Sequence, residues 1–260
     1  METDDVLTML RQVAEEVINP RFRDMAAEDI VEKNPGDLVT VADREAEVRI
    51  TEELRRAYPD ALVLGEEATS ADATLLERYQ AADHAFTVDP VDGTKNFVKG
   101  SPDNAVMVAE VRRGEVVRSW IWQPQHEIGY TAERGAGAFR DGKRLVRPPL
   151  DGDPRGVTSR RSWIGRALGT LRALDLTWVC CGVDYPKLVE GAADYALYRR
   201  SNPWDHAPGS LLLAEAGGFV GTFDGSPYRP QSDPPLGLIS AGDRSTYDTV
   251  QDLVGALPGL

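Results

Sequence analysis

The chain is 260 residues long, enough for one large α/β unit or two closely packed halves. Its 42% hydrophobic and 27% charged content is that of an ordinary soluble globular enzyme. Asp and Glu number 42 against 29 Lys and Arg, a net charge of −13, which argues against a nucleic-acid partner because displacing backbone counterions needs a basic stripe.

Met1 to Asp5 has neither a basic n-region nor an apolar stretch, so no signal peptide is expected. No apolar run reaches the ~18 residues of a membrane span, and a membrane partner is not expected. The spacing of Val6, Leu10, Val13 and Val17 predicts a helix from Asp4 to about Asn19, closed by Pro20. Lys33-Asn34-Pro35-Gly36-Asp37 reads as a loop. A second helix is predicted from Thr40, with Ala42, Ala46, Ile50 and Leu54 on one face and Tyr58-Pro59-Asp60 as its stop.

Ala61–Leu64 and Ala85–Val88 read as short buried strands, each running into acidic residues. From Asn104 to about Leu145 the pattern is a meander, with turns at Arg113-Gly114, Pro124-Gln125 and Asp141-Gly142. Pro148-Pro149 and Asp151–Pro154 mark the expected boundary between an α+β half, residues 1–150, and an α/β half, residues 151–260. In the second half, helices are predicted at Ser162–Ala173, around Pro186–Glu190, at His206–Ala216 and at Asp243–Gly255. Strands are predicted at Thr177–Cys180, Ala193–Tyr198 and Leu236–Ser240. The two cysteines, Cys180 and Cys181, are adjacent and form no CxxC spacing, which predicts a reducing, cytoplasmic setting.

The chemistry concentrates in Thr87–Phe97. An apolar strand runs into Asp89, Pro90 predicts an extended turn, and Asp92 follows before Gly93-Thr94. Two carboxylates so placed can converge on hard cations, with the Val91 carbonyl as a further oxygen ligand. The Gly93 and Thr94 amides can face an anion. Asp-Pro and Asp-Gly are also ordinary turn formers. An aspartyl nucleophile of the haloacid dehalogenase type would need a single residue between its two aspartates; here Pro90 and Val91 intervene.

Asp89-Pro90-Val91-Asp92-Gly93-Thr94 resembles the first signature of the inositol monophosphatase family. Gly65-Glu66-Glu67, Trp204-Asp205-His206-Ala207-Pro208-Gly209 leading to Gly218, and Lys33 to Asp43 resemble three further motifs, in the family's order, so the similarity spans about Val6 to Val254. The resemblance implies a layered αβαβα sandwich of the inositol monophosphatase and fructose bisphosphatase type. It implies two or three Mg²⁺ ions: one held by Glu66, Asp89 and the Val91 carbonyl, a second by Asp89, Asp92 and Asp205, and a looser third by Glu66. Asp43 and Thr94, with Glu66, match the group that orients the attacking water. Asp92, Cys181, Gly182, Tyr198 and Asp205 match substrate-facing positions. A homodimer and lithium sensitivity are implied on the same ground.

The implied activity is Mg²⁺-dependent hydrolysis of a small sugar or polyol phosphate. Two alternatives stand beside it. One is 3′-phosphoadenosine 5′-phosphate or fructose 1,6-bisphosphate hydrolysis on the same scaffold, and the other a non-catalytic, metal-stabilised interaction module. Inositol specificity departs from the pattern, since Tyr198 occupies the position of a sugar-gripping acid and Val179–Val183 replaces a Gly-Ser/Thr-Ala-Ala stretch. Arg199 and Arg200 either meet a second anionic group or are solvated. Individual residues also have bland readings: Asp43 in a capping box with Thr40, Asp205 as a helix cap, Trp204 as packing, His206 as structural, and Lys33 facing either substrate or water.

Overall fold

The computed structural model describes residues 1–34, 37–232 and 236–259. Pro35 and Gly36, read above as part of a loop and of the amino-terminal motif, lie outside the described residues. A hairpin of β1 (Ile30–Asn34) and β2 (Asp37–Thr40) flanks them. The sequence reading had only a loop there, because strands of five and four residues are too short for alternation to register.

Two larger sheets carry the fold. The first has seven strands in the order β3 (Leu62–Gly65), β4 (His84–Asp92), β5 (Ala105–Arg112), β6 (Glu115–Gln123), β7 (Ile128–Glu133), β8 (Gly137–Arg140), β9 (Lys143–Leu145). The predicted meander is β5 to β9, with all three named turns in place. The second sheet is ordered β11 (Asp175–Leu176), β10 (Gly156–Thr158), β12 (Tyr195–Tyr198), β14 (Leu238–Ala241), β13 (Phe219–Thr222). Strands β10, β11 and β12 are mutually parallel, and β14 runs against β12 and β13.

Side-chain alternation along the strands assigns the layers. On β5, Val106 and Val108 pack with α1 (Thr3–Val13) and α2 (Val41–Ala57) in one core, while Ala105, Met107 and Ala109 face a second. That second core holds α6 (Cys181–Val189), α7 (Pro203–Glu215), and Ala196 and Tyr198 of β12. Tyr195 and Leu197, pointing the other way, meet Tyr247 and Val250 of α8 (Arg244–Val254). Helix, sheet, helix, sheet, helix is the predicted αβαβα sandwich. Each fully buried Val, Leu or Phe contributes about 1.5–3 kcal/mol to it.

The predicted helix Ser162–Ala173 is not formed. Only a single 3₁₀ turn, Arg161–Trp163, appears, and Gly165 and Gly169 take φ of +78° and +56°. Those glycines break the helical path while Trp163, Leu168 and Leu174 still reach the α8 core. The strand expected at Thr177–Cys180 lies two residues earlier, at Asp175–Leu176, because Val179 adopts φ +60° just before α6. Helices α3 (Glu66–Ala71), α4 (Thr74–Gln80) and α5 (Thr94–Val98) are too short for periodicity to reveal.

Pro186 sits inside α6 and leaves the Gly182 carbonyl without its helical donor; Gln123 Nε2 of β6 fills that role at 2.8 Å. No described helix is long and apolar enough to cross a membrane.

Candidate metal centre

Strand β4 does not end at Val88 as predicted but runs on to Asp92. Its pairing with β5 steps from Asp89↔Met107 to Asp92↔Ala105, so two residues of β4 stand opposite one of β5. Pro90 is tolerated in this bulge because the ladder already skips a bond there. In a regular strand, residues three apart point to opposite faces. The extra residue cancels that alternation and brings Asp89 and Asp92 to the same side.

Asp205 joins them from the third residue of α7. The cap of that helix is Asn202, not Asp205, and Pro203 occupies its first position. Asn202 Nδ2 donates to Asp205 Oδ2 at 3.1 Å. One carboxylate oxygen from each of Asp89, Asp92 and Asp205 lies within 4.8 Å of the other two. Asp92 is turned by the start of α6: its Oδ2 accepts from the Gly182 amide at 2.5 Å and from Cys180 Sγ at 3.0 Å. Asp89 Oδ1 is buried with no hydrogen-bond partner.

Asp43 approaches from α2. Its Oδ2 takes the Thr40 amide at 2.9 Å and the Thr40 hydroxyl, completing a capping box. Its Oδ1 is 3.2 Å from Thr94 Oγ1, which also lies 3.1 Å from the Val91 carbonyl oxygen. The capping reading of Asp43 therefore holds through Oδ2, while Oδ1 is left facing Thr94. Gly93, at φ +81°, caps α5, and a Cβ there would come within 3.0 Å of Cys180 Cβ.

Glu66 opens α3 but stays outside the three-acid group among the described residues. Lys33 Nζ lies 3.1 Å from its Oε1 and 2.7 Å from Glu67 Oε1, so Lys33 meets carboxylates. Burial alone would lower the Lys33 pKa, but the two paired acids outweigh it and raise the pKa above its ordinary range.

A residue the sequence reading missed holds this segment. Glu47, one helical turn after Asp43, accepts the Glu67 and Ala68 amides at 2.7 and 2.8 Å. It caps α3 from a neighbouring helix because Gly65, the cap position, has no side chain; a Cβ there would lie 2.3 Å from Glu47 Cδ. The Gly-Glu-Glu motif carries the only sequence trace of this contact. Glu47→Ala leaves two amides without a charged acceptor, for an expected cost of about 1.5–3 kcal/mol by urea denaturation. A loss within error of zero would show that α3 is held some other way.

Burial is the leading cause of every pKa shift in the acidic cluster. It raises Asp43 to about 6, against its hydrogen bonds from Thr40. Glu66 rises to about 8, with Asp205 adding repulsion, and Asp205 rises to about 7, with Asp92 adding repulsion. Asp92 rises to about 6, and Asp89 is pushed well above the carboxylate range, helped by Glu66 and Asp92. Acids that repel one another in a buried space, one with an orphaned oxygen, form an oxygen-only donor set suited to hard divalent cations.

A cleft of about 670 Å³ opens over this group, reaching from Glu66, Asp92 and Asp205 past Cys181 to Tyr198. Gly182 is buried instead, its amide spent on Asp92 and its carbonyl on Gln123. The Tyr198 hydroxyl donates to Asp184 Oδ2 at 3.3 Å, so a carboxylate does stand behind Tyr198, contributed by α6. His206 is structural: burial lowers its pKa to about 4, and Nε2–H donates to the Arg200 carbonyl at 3.0 Å. Nδ1 then accepts from Tyr185 OH at 3.0 Å. Trp204 packs against the central core, and it also lines the cleft.

Residues 2–253 match the family model described as the inositol monophosphatase family. An inositol-1-monophosphatase of Rhizobium meliloti is 36% identical over 214 residues, 74% of this chain and 75% of that protein. A Nus factor SuhB of Pseudomonas aeruginosa is 33% identical over 231 residues, 79% of this chain and 80% of that protein. A solved IMPase/NADP phosphatase, complexed with Mg²⁺ and phosphate, shares the fold with a TM-score of 0.81 at 21% identity, covering 98% of this chain and 96% of that one.

Proposed function

The chain belongs to the inositol monophosphatase family, and from that premise we propose that it is a Mg²⁺-dependent phosphomonoesterase acting on a small phosphorylated metabolite of the sugar or polyol class. One observation carries the reading: three carboxylates meet within 4.8 Å, and the buried Asp89 Oδ1 has no partner in the protein. Asp89, Asp92 and Asp205, with Glu66 and the Val91 carbonyl, would hold two or three ions. Bound there, Mg²⁺ supplies the charge that neutralises phosphate oxygens and makes water a competent nucleophile at neutral pH.

The chain's own residues do the rest. Thr40 ties down Asp43 Oδ2, leaving Oδ1 to take the Thr94 hydroxyl proton. The Thr94 oxygen is then free to accept a hydrogen bond from the attacking water and aim its lone pair at phosphorus. The water oxygen bonds to phosphorus as the ester P–O bond breaks; the water's proton passes by way of the Thr94 hydroxyl to Asp43, and the leaving alkoxide takes a proton from solvent in the cleft. Asp43, with its pKa raised to about 6, suits proton acceptance at neutral pH. The Gly93 and Thr94 amides serve the phosphate, although Asp92 draws on the Gly93 amide in the ion-free chain.

The name Nus factor belongs to the Pseudomonas relative. For this chain the Asp43–Thr94 pair favours catalysis, since ion binding alone needs no water-orienting group. A cytoplasmic setting belongs to the same reading, supported by only two cysteines and no CxxC spacing, and association into a dimer is carried over from the family. Purified protein should release inorganic phosphate from p-nitrophenyl phosphate and from sugar or polyol phosphates with Mg²⁺, and EDTA should abolish release. Turnover that persists in EDTA would refute the metal role.

A further inference from the structure

We propose that Gln123 is a positioning residue for the metal centre: through the backbone of Gly182 it fixes the orientation of Asp92, two strands away. This rests on the phosphatase reading and adds to it a residue that touches neither ion nor substrate.

Strand register lays these residues out in a row. Asp92 on β4 stands opposite Ala105 on β5, and Val106 pairs with Trp122 of β6, which places Gln123 beside Ala105. Neighbouring strands are about 4.8 Å apart, so Asp92 and Gln123 flank Ala105 on one face of the sheet. Gly182, in the first turn of α6, lies across all three. Its amide donates to Asp92 Oδ2 at 2.5 Å, and its carbonyl accepts from Gln123 Nε2 at 2.8 Å. A Cβ on Gly182 would collide with Ala105 Cβ, so any other residue there would lift α6 off the row.

Gln123 is needed because the helix does not supply this bond itself. A helical proline has no N–H and crowds the carbonyl four residues back; for Pro186 that carbonyl belongs to Gly182. Both Gly182 and Gln123 are buried, and a buried carbonyl without a donor costs free energy. Glycine's φ and ψ are also the least restrained of any residue. Without Gln123 the Gly182 carbonyl would turn toward another partner, and the amide on the same residue would turn with it. Asp92 would lose a backbone donor and lean more on Cys180 Sγ, at 3.0 Å, and a thiol is a weak donor. Groups that orient a metal ligand from behind are worth about 10–100-fold in metal affinity.

The test exploits Pro186. Gln123→Met keeps the volume but removes the donor, and Pro186→Ala returns a backbone N–H to the Gly182 carbonyl. Mg²⁺ is titrated by calorimetry into the full chain. Its affinity should fall about tenfold in Gln123→Met and recover to within about threefold of the parent in the double variant. In EDTA, exchange of the Gly182 amide, followed by NMR, should quicken in Gln123→Met and slow again in the double variant. A role confined to stability would lower the thermal midpoint and quicken all core amides alike, with Mg²⁺ affinity unchanged. If Gln123→Met has no cooperative thermal transition, Gln123→Asn, one methylene short of Gly182, takes its place. Unchanged Mg²⁺ affinity in the single variant, or a loss that the double variant keeps, overturns the proposal. A parent chain that binds no Mg²⁺, or binds it without releasing phosphate, would sink the phosphatase reading, and the exchange pattern would still decide the role of Gln123.

Discussion

Asp89→Asn is expected to cut Mg²⁺-dependent phosphate release about 10³-fold, equivalent to ~4 kcal/mol of barrier, and yet to raise the thermal midpoint of the ion-free protein. The two effects have one cause. Asp89 lies beneath Glu66, Asp92 and Asp205 in a buried space, and burial and their repulsion push its pKa well up. An amide of the same shape is neutral without having to take up a proton, so the ion-free fold gains. The same amide is a weak ligand for a hard cation, so catalysis is lost. A structural aspartate would behave in the opposite way, since its neutralisation would break contacts and lower the midpoint. Steady-state phosphate release and calorimetry in EDTA read both halves. A lower midpoint with turnover intact would remove Asp89 from the proposed centre.

In EDTA, the thermal midpoint should fall as pH rises from about 6.5 to 8.5, and saturating Mg²⁺ should abolish or reverse that fall. Burial raises Asp43 and Asp92 to about 6, Glu47 and Asp205 to about 7, and Glu66 to about 8. An unfolded carboxyl titrates near 4. Between these values the native state holds more protons than the unfolded one, so stability declines with rising pH, by at most ~1.4 kcal/mol per unit for each group. His206, lowered to about 4, acts in the opposite sense, adding stability as pH rises, but only up to about its ordinary 6.5. Above that the carboxylates dominate, and the raised Cys180 and Cys181 thiols add to the decline in the same direction near the upper end of the range. Mg²⁺ binds the ionised acids, so its stabilising effect grows as protons leave. A flat or rising midpoint in EDTA over this range would mean the cluster is not under electrostatic strain.

The parts of the site legible in sequence are those in which chemistry is local. Asp89, Asp92 and Thr94 sit on one strand and the helix start that follows it, and Thr40 and Asp43 form a four-residue capping box. Glu47 was hidden because its role depends on a helix packing against Gly65, which no spacing announces; it reads as one acid among 42. The bulge at Pro90 was mistaken for a strand end because a proline usually is one, and the register with β5 is what overrules it. Ser162–Ala173 had apolar residues at helical spacing, but positive φ at Gly165 and Gly169 was not foreseeable from periodicity.

Helix α2 sets a constraint on how this chain can change. Asp43 and Glu47 both face the centre because they are four residues apart, and one inserted or deleted residue between them would swing the second by about 100° around the helix axis. Either the water-orienting acid or the α3 cap would then face elsewhere. Descendants of this sequence are free to alter the exposed side chains between those two acids, but not the number of residues separating them.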